Sequence, residues 1–157
     1  MMRLFFILFC TIVLSAQTRD HLTERETELI RSNQVLDKRT SIYVQAIERR
    51  MIILKGQKLS EKEIENFGEP TGTDSELLND IAKILLEAIE KIEDVAERSP
   101  KNELIMKSTK ILAEGCKNFE PNLQSFLQKY PGRKEQGAIL SAIEYCQQIK
   151  EAVDRKN

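Results

Sequence analysis

The sequence predicts an all-α protein, an antiparallel four-helix bundle preceded by a cleavable signal peptide. Three observations lead there. In residues 75–98, Leu78, Ile81, Leu85, Ala88, Ile92 and Val95 step by alternating threes and fours, drawing one apolar stripe down a helix whose other face is almost entirely charged. Further stripes of the same period occur on both sides of it, and a lone amphipathic helix would leave its stripe in water, so the stripes must cover one another. The first 16 residues follow a different pattern, a basic start and then an apolar run.

Arg3 supplies that basic start, Leu4 to Leu14 are apolar except for Cys10 and Thr11, and Ser15-Ala16 offers small residues for cleavage. A run of about a dozen residues falls short of the roughly 20 that a membrane-spanning helix needs. The alternatives are an uncleaved N-terminal anchor and a cut elsewhere, because Leu14 is large for the third position before a cut after Ala16. A lipid-modified Cys10 is disfavoured by bulky Phe9 before it. The expected division is therefore a signal peptide over 1–16 and a single helical-bundle domain over 17–157. That domain would be exported, periplasmic or extracellular, with no stable membrane insertion after cleavage. Removing residues 1–16 takes away Arg3 alone among the charges, leaving 23 basic and 25 acidic side chains and a net charge of −2. Interspersed and nearly balanced charge gives no electrostatic footprint for nucleic acid or an anionic membrane.

In chain order, Thr23 stands three residues before Glu26, the spacing at which a hydroxyl and a carboxylate cap a helix reciprocally. The stripe that follows runs through Leu29, Val35 or Leu36, Tyr43, Ala46, Ile47, Ile53 and Leu54. Weak helix formers at 33–37 favour a short helix and a long one over a single rod of about 30 residues. Residues 55–73, with Gly56, Gly68, Pro70 and Gly72, form the one long connection. Within it, Ser60 and Glu63 repeat the capping spacing ahead of Ile64 and Phe67, which is either a short helix across the end of the bundle or a loop anchored by Phe67. The central helix begins at Thr73 or Asp74, with Glu76 completing another capping box, and ends near Ser99. Ser99-Pro100 is expected to cap and open the next helix, setting the two helices antiparallel. That helix shows Ile105, Ile111, Leu112, Phe119, Leu123, Phe126, Leu127 and Tyr130, with a kink or break expected at Pro121. Pro131-Gly132 stops it, and the last helix carries Ile139, Ala142, Cys146, Ile149 and Val153 over about 133–155.

The signal peptide, the Leu22-Thr23 start, and Arg39, Tyr43, Ala46 and Arg50 spaced as R-x3-Y-x2-A-x3-R resemble small secreted bacterial all-helical proteins of uncharacterised function. The resemblance covers about a third of the chain, and it implies fold and compartment only. Leu22-Thr23 is also similar to the L-T-x-x-Q pattern of small periplasmic helical chaperones, but Arg25 and Glu26 stand in the last positions where glutamine is required.

The sharpest local expectation concerns Cys116 and Cys146. Each is 15 positions from Pro131, so an antiparallel hairpin turning there sets both at one height. Both point inward or nearly so, and in an oxidising compartment a facing pair would form a disulfide worth roughly 3 to 4 kcal/mol. The alternative is two buried thiols acting as small hydrophobes, offset by the Pro121 kink.

No metal or cofactor site is expected. A bundle di-iron site needs Glu-x-x-His motifs, whereas the chain's single histidine, His21, precedes the first cap and belongs by its position to a flexible tail. The acidic residues fall on outward faces. With His21 the only imidazole, Cys-His and Ser-His catalysis are unexpected as well. Arg49-Arg50 and Arg133-Lys134 adjoin Glu48 and Glu135, which reads as surface ion pairing ahead of docking to a carboxylate-bearing partner. Tyr43 and Tyr145 are expected to bury their rings and keep their hydroxyls at the core margin. The expected role is therefore non-enzymatic, structural or protein-partner-binding, the alternative being a periplasmic stress chaperone or sensor.

Overall fold

The structure, a computed structural model, describes residues 19–155; the expected signal peptide lies outside them. Among the described residues there are six helices and no strand: α1 (Glu24–Ser32), α2 (Leu36–Leu54), α3 (Glu61–Phe67), α4 (Asp74–Arg98), α5 (Glu103–Lys129) and α6 (Arg133–Asp154).

The three capping boxes read from the sequence start three of these helices. Thr23 with Glu26, Ser60 with Glu63 and Thr73 with Glu76 each exchange both bonds, satisfying two otherwise orphaned backbone donors at each start. Asn33 closes α1 by donating its backbone N–H and its side-chain amide to the Leu29 carbonyl, which separates α1 from α2 where the weak helix formers begin. The 60–67 stretch is a helix rather than a loop, stopped by Gly68 at a φ of 73°.

One expectation fails and another is narrowed. Ser99 does not cap α5: it ends α4 through its N–H to the Val95 carbonyl, and Asn102 caps α5, its side chain accepting from Leu104 N at 2.9 Å. Pro100 therefore lies in the turn, not at the first helical position. Of the kink or break expected at Pro121, the break is absent, since α5 runs through it without interruption. One missing backbone donor is outweighed by burial of Leu112, Cys116, Phe119, Leu123 and Phe126 on both sides of it.

Helix α2 packs on α4 and α5, and α6 packs on the same two from the other side; α1 and α3 flank one end. Although joined by the tight turn at 99–102, α4 and α5 touch each other far less than either touches α2 or α6. Sandwiched between α2 and α6, α4 buries a wider face than its stripe: Leu77 and Ile84 are inside together with Leu78, Ile81, Leu85 and Ala88. At the α2–α5 crossing, a Cβ on Gly115 would meet Val44 at 3.2 Å, so glycine there lets the backbones approach despite its cost in a helix.

The Ser108 hydroxyl is buried in α5 without a hydrogen-bond partner. An unsatisfied buried hydroxyl costs about 1 to 3 kcal/mol. Ser108→Ala should therefore raise the urea midpoint at an unchanged m-value; a lowered midpoint would show that the hydroxyl is satisfied in solution.

Candidate functional site

The polar groups deepest in the molecule gather where the N-terminal segment, α1, α2 and α4 meet. Glu26 is fully buried, and its carboxylate accepts from Arg49 Nη2 and, at 3.0 Å each, from Arg50 Nη1 and Nη2. Arg50 also donates to the Ala46 and His21 carbonyls, at 2.8 and 2.6 Å. Asp80, likewise buried, takes a two-pronged contact from Arg19, at 2.8 and 2.7 Å. Arg50 Nε lies 3.5 Å from Asp80 Oδ2, near enough for charge attraction but without a hydrogen bond. The Arg49 guanidinium sits 4.2 Å over the Phe67 ring, which ties α3 to the cluster. Gly72, at a φ of 137°, makes room for Arg19 to reach the Thr71 carbonyl, because a Cβ there would come within 2.9 Å of the guanidinium.

These positions overturn two expectations. Arg49 and Arg50 are not surface residues paired with Glu48; both are buried and pair with Glu26. The acidic residues do not all face outward, since Glu26 and Asp80 lie inside. Arg133 and Lys134 are exposed, as expected of surface charge. A signal for the cluster was present: Glu26, Arg50 and Asp80 each fall on an apolar stripe, Arg50 four residues after Ala46 and four before Leu54. The R-x3-Y-x2-A-x3-R residues share one side of α2, and Arg39, Tyr43 and Arg50 all make polar contacts, to Asn33, Glu87 and Glu26.

A second cluster adjoins the first. His21 is docked, not in a flexible tail: its Nε2 lies 2.6 Å from Glu87 Oε2 and its Nδ1 3.3 Å from Asp20 Oδ1. Thr23 Oγ1, donating to the Phe67 carbonyl, and Arg19, on Asp80, hold the segment on both sides of His21. Tyr43 is buried and donates to Glu87 Oε1 at 2.8 Å, its hydroxyl at the core margin. Burial, and then the hydrogen bond to Glu87, push the Tyr43 phenol far up, so it stays a donor. The hydrogen bond from His21 outweighs desolvation and holds Glu87 below the usual carboxylate range. Glu87 thus joins the His21 imidazole to the Tyr43 phenol, one oxygen to each.

Glu26 is also held low. Desolvation pushes it up, but the hydrogen bond and charge of Arg50, with Thr23 N–H and Arg49, prevail. A carboxylate depressed in the folded state contributes stability above its ordinary value of 4.5 and loses it as pH falls through the folded value. The urea midpoint should therefore fall with acidification below about pH 4.5. A midpoint unchanged down to pH 2.5 would contradict this linkage.

Cys116 and Cys146 meet in the α5–α6 seam, both fully buried, but as free thiols rather than the expected disulfide. A hydrogen bond with Cys146, followed by burial, pushes the Cys116 thiol far up. The hairpin thus brings the pair near one another, packed as small buried side chains. His21 rests on α4 beside α2, so the thiols and the imidazole belong to different parts of the fold. Among the described residues, no group of three or more His, Cys, Asp or Glu is placed to hold a metal ion, and no helix is long and apolar enough to cross a membrane.

No protein-family model matches the chain, and neither the curated proteins nor the solved structures include a match.

Proposed function

We propose that the protein is an exported, non-enzymatic helical protein with a structural or protein-partner-binding role, its domain over 17–157 built as an antiparallel four-helix bundle of α2, α4, α5 and α6. The observation that carries this reading is the use made of the buried charge. The inward carboxylates Glu26 and Asp80 are both taken up by guanidinium groups, and these contacts bind the N-terminal segment to α2 and α4. Acids paired in this way hold elements together: Glu26 accepts four hydrogen bonds, and Asp80 accepts two from Arg19 with Arg50 beside it. The bundle reading draws support from the way α2 and α6 each pack on both α4 and α5. The scatter of exposed large hydrophobics favours it over a chaperone reading: among the described residues they are Val35, Leu86 and Leu140, one each on the α1–α2 link, α4 and α6.

Cell fractionation followed by N-terminal sequencing tests the export reading, with a mature chain beginning near Gln17 as the expected result. Full-length protein confined to the cytoplasm would overturn it. Gentle crosslinking in the native host separates the roles: one specific partner supports binding, many misfolded clients the chaperone, and neither a structural part.

In an oxidising compartment, Cys116 and Cys146 are further proposed to pair, since both are buried on the two helices of one hairpin, each 15 positions from its turn at Pro131. Maleimide labelling of the unfolded, exported protein should then require prior reduction. Labelling without reductant would show that the thiols stay free.

A further inference from the structure

We propose that the open cavity bordered by the N-terminal segment, α1, α2 and α4 is a binding site for a small organic anion, a carboxylate or phosphate on a short apolar body. The cavity measures about 480 Å³, within the size range of small-molecule sites. Its floor includes the buried apolar side chains Leu22 and Ile30, and its inner wall is the His21–Glu87–Tyr43 cluster.

The charge balance selects the ligand. Both acidic residues on the lining, Asp20 and Glu87, are already in contact with His21, and Glu87 also receives the Tyr43 hydroxyl. Arg31, Arg39 and Lys91 line the same space, and among the described residues none of the three lies within ion-pair distance of a carboxylate. Arg39 uses Nε and Nη2 on the Asn33 carbonyl, and Nη1 makes no such bond. Three basic residues line one cavity whose acids are occupied, so the guest that completes it is negatively charged. The apolar floor favours an anion carrying a hydrocarbon body over a bare inorganic ion.

The chain has a single histidine, so its ring resonances report on this cavity without overlap. The purified protein is titrated at low ionic strength with benzoate, inorganic phosphate and, as a neutral control, benzyl alcohol. Saturable shifts of the His21 resonances are expected with benzoate, phosphate or both, the pattern telling which head group is preferred, and none with benzyl alcohol. In Arg31→Gln/Lys91→Gln, with unchanged circular dichroism, binding should weaken about tenfold, and added salt should weaken it in the parent. No saturable shift by about 10 mM, an equal response to benzyl alcohol, or undiminished binding by the double variant overturns the site. None of these outcomes bears on the export reading, which fractionation tests separately.

Discussion

Glu26→Gln is expected to be among the most damaging conservative substitutions in the molecule, costing about 3 to 5 kcal/mol. Glutamine keeps the size of the side chain and can still close the capping box with Thr23, so the change isolates the charge. Its loss leaves Arg49 and Arg50, both buried, without the carboxylate they share. The wild-type cluster already sets three guanidinium groups, of Arg19, Arg49 and Arg50, against two carboxylates, of Glu26 and Asp80. Removing one acid makes that imbalance worse in a place that water does not screen. Chemical denaturation at pH 7 measures the loss. Adding Arg49→Met should recover a good part of it, because an unpaired charge is replaced by an apolar chain of similar length beside Phe67. A cost below about 1 kcal/mol for the single variant would mean that water reaches the cluster and that its geometry contributes little.

The stripes and this charge cluster differ in how far sequence reading reaches. Residues such as Leu78, Leu85, Leu112 and Ile139 are legible because burial in a helical protein repeats with the period of the helix itself, and each is buried where its stripe places it. The three capping boxes are equally local, each needing only four consecutive residues. The cluster is not local. Arg49 and Arg50 lie 23 and 24 positions from Glu26, Arg19 lies 61 from Asp80, and His21 lies 66 from Glu87. Adjacent Glu48 offers Arg49 a nearer partner in sequence, so surface pairing looks sufficient until the helices are assembled. What betrays the pairing is position, since a charge on an apolar stripe must find its counter-charge inside. The turn after α4 is ambiguous in sequence for a related reason: Ser99 and Asn102 are both good caps, and the length of α4 decides between them.

The converse test is a residue with no charge at all. Leu85→Ala should cost about 2 to 5 kcal/mol, because Leu85 is fully buried at the middle of α4, the helix held between α2 and α6, and the surrounding helices can collapse only partly into the space left. Its neighbour Leu86 is 37% exposed, and Leu86→Ala should change stability by less than about 0.5 kcal/mol, so the pair separates packing from helix propensity within one turn. The two damaging variants should also respond differently to acid. The deficit of Glu26→Gln should shrink as pH falls below about 4.5, because Glu26 takes up a proton first in the unfolded wild-type chain and only at lower pH in the folded one, which erodes the advantage the carboxylate gives. That of Leu85→Ala should persist there, since no proton is linked to it. If both deficits shrank together, the acid transition would report general loosening of the core; if only the first did, the Glu26 pairing and the apolar packing are separable supports of one fold.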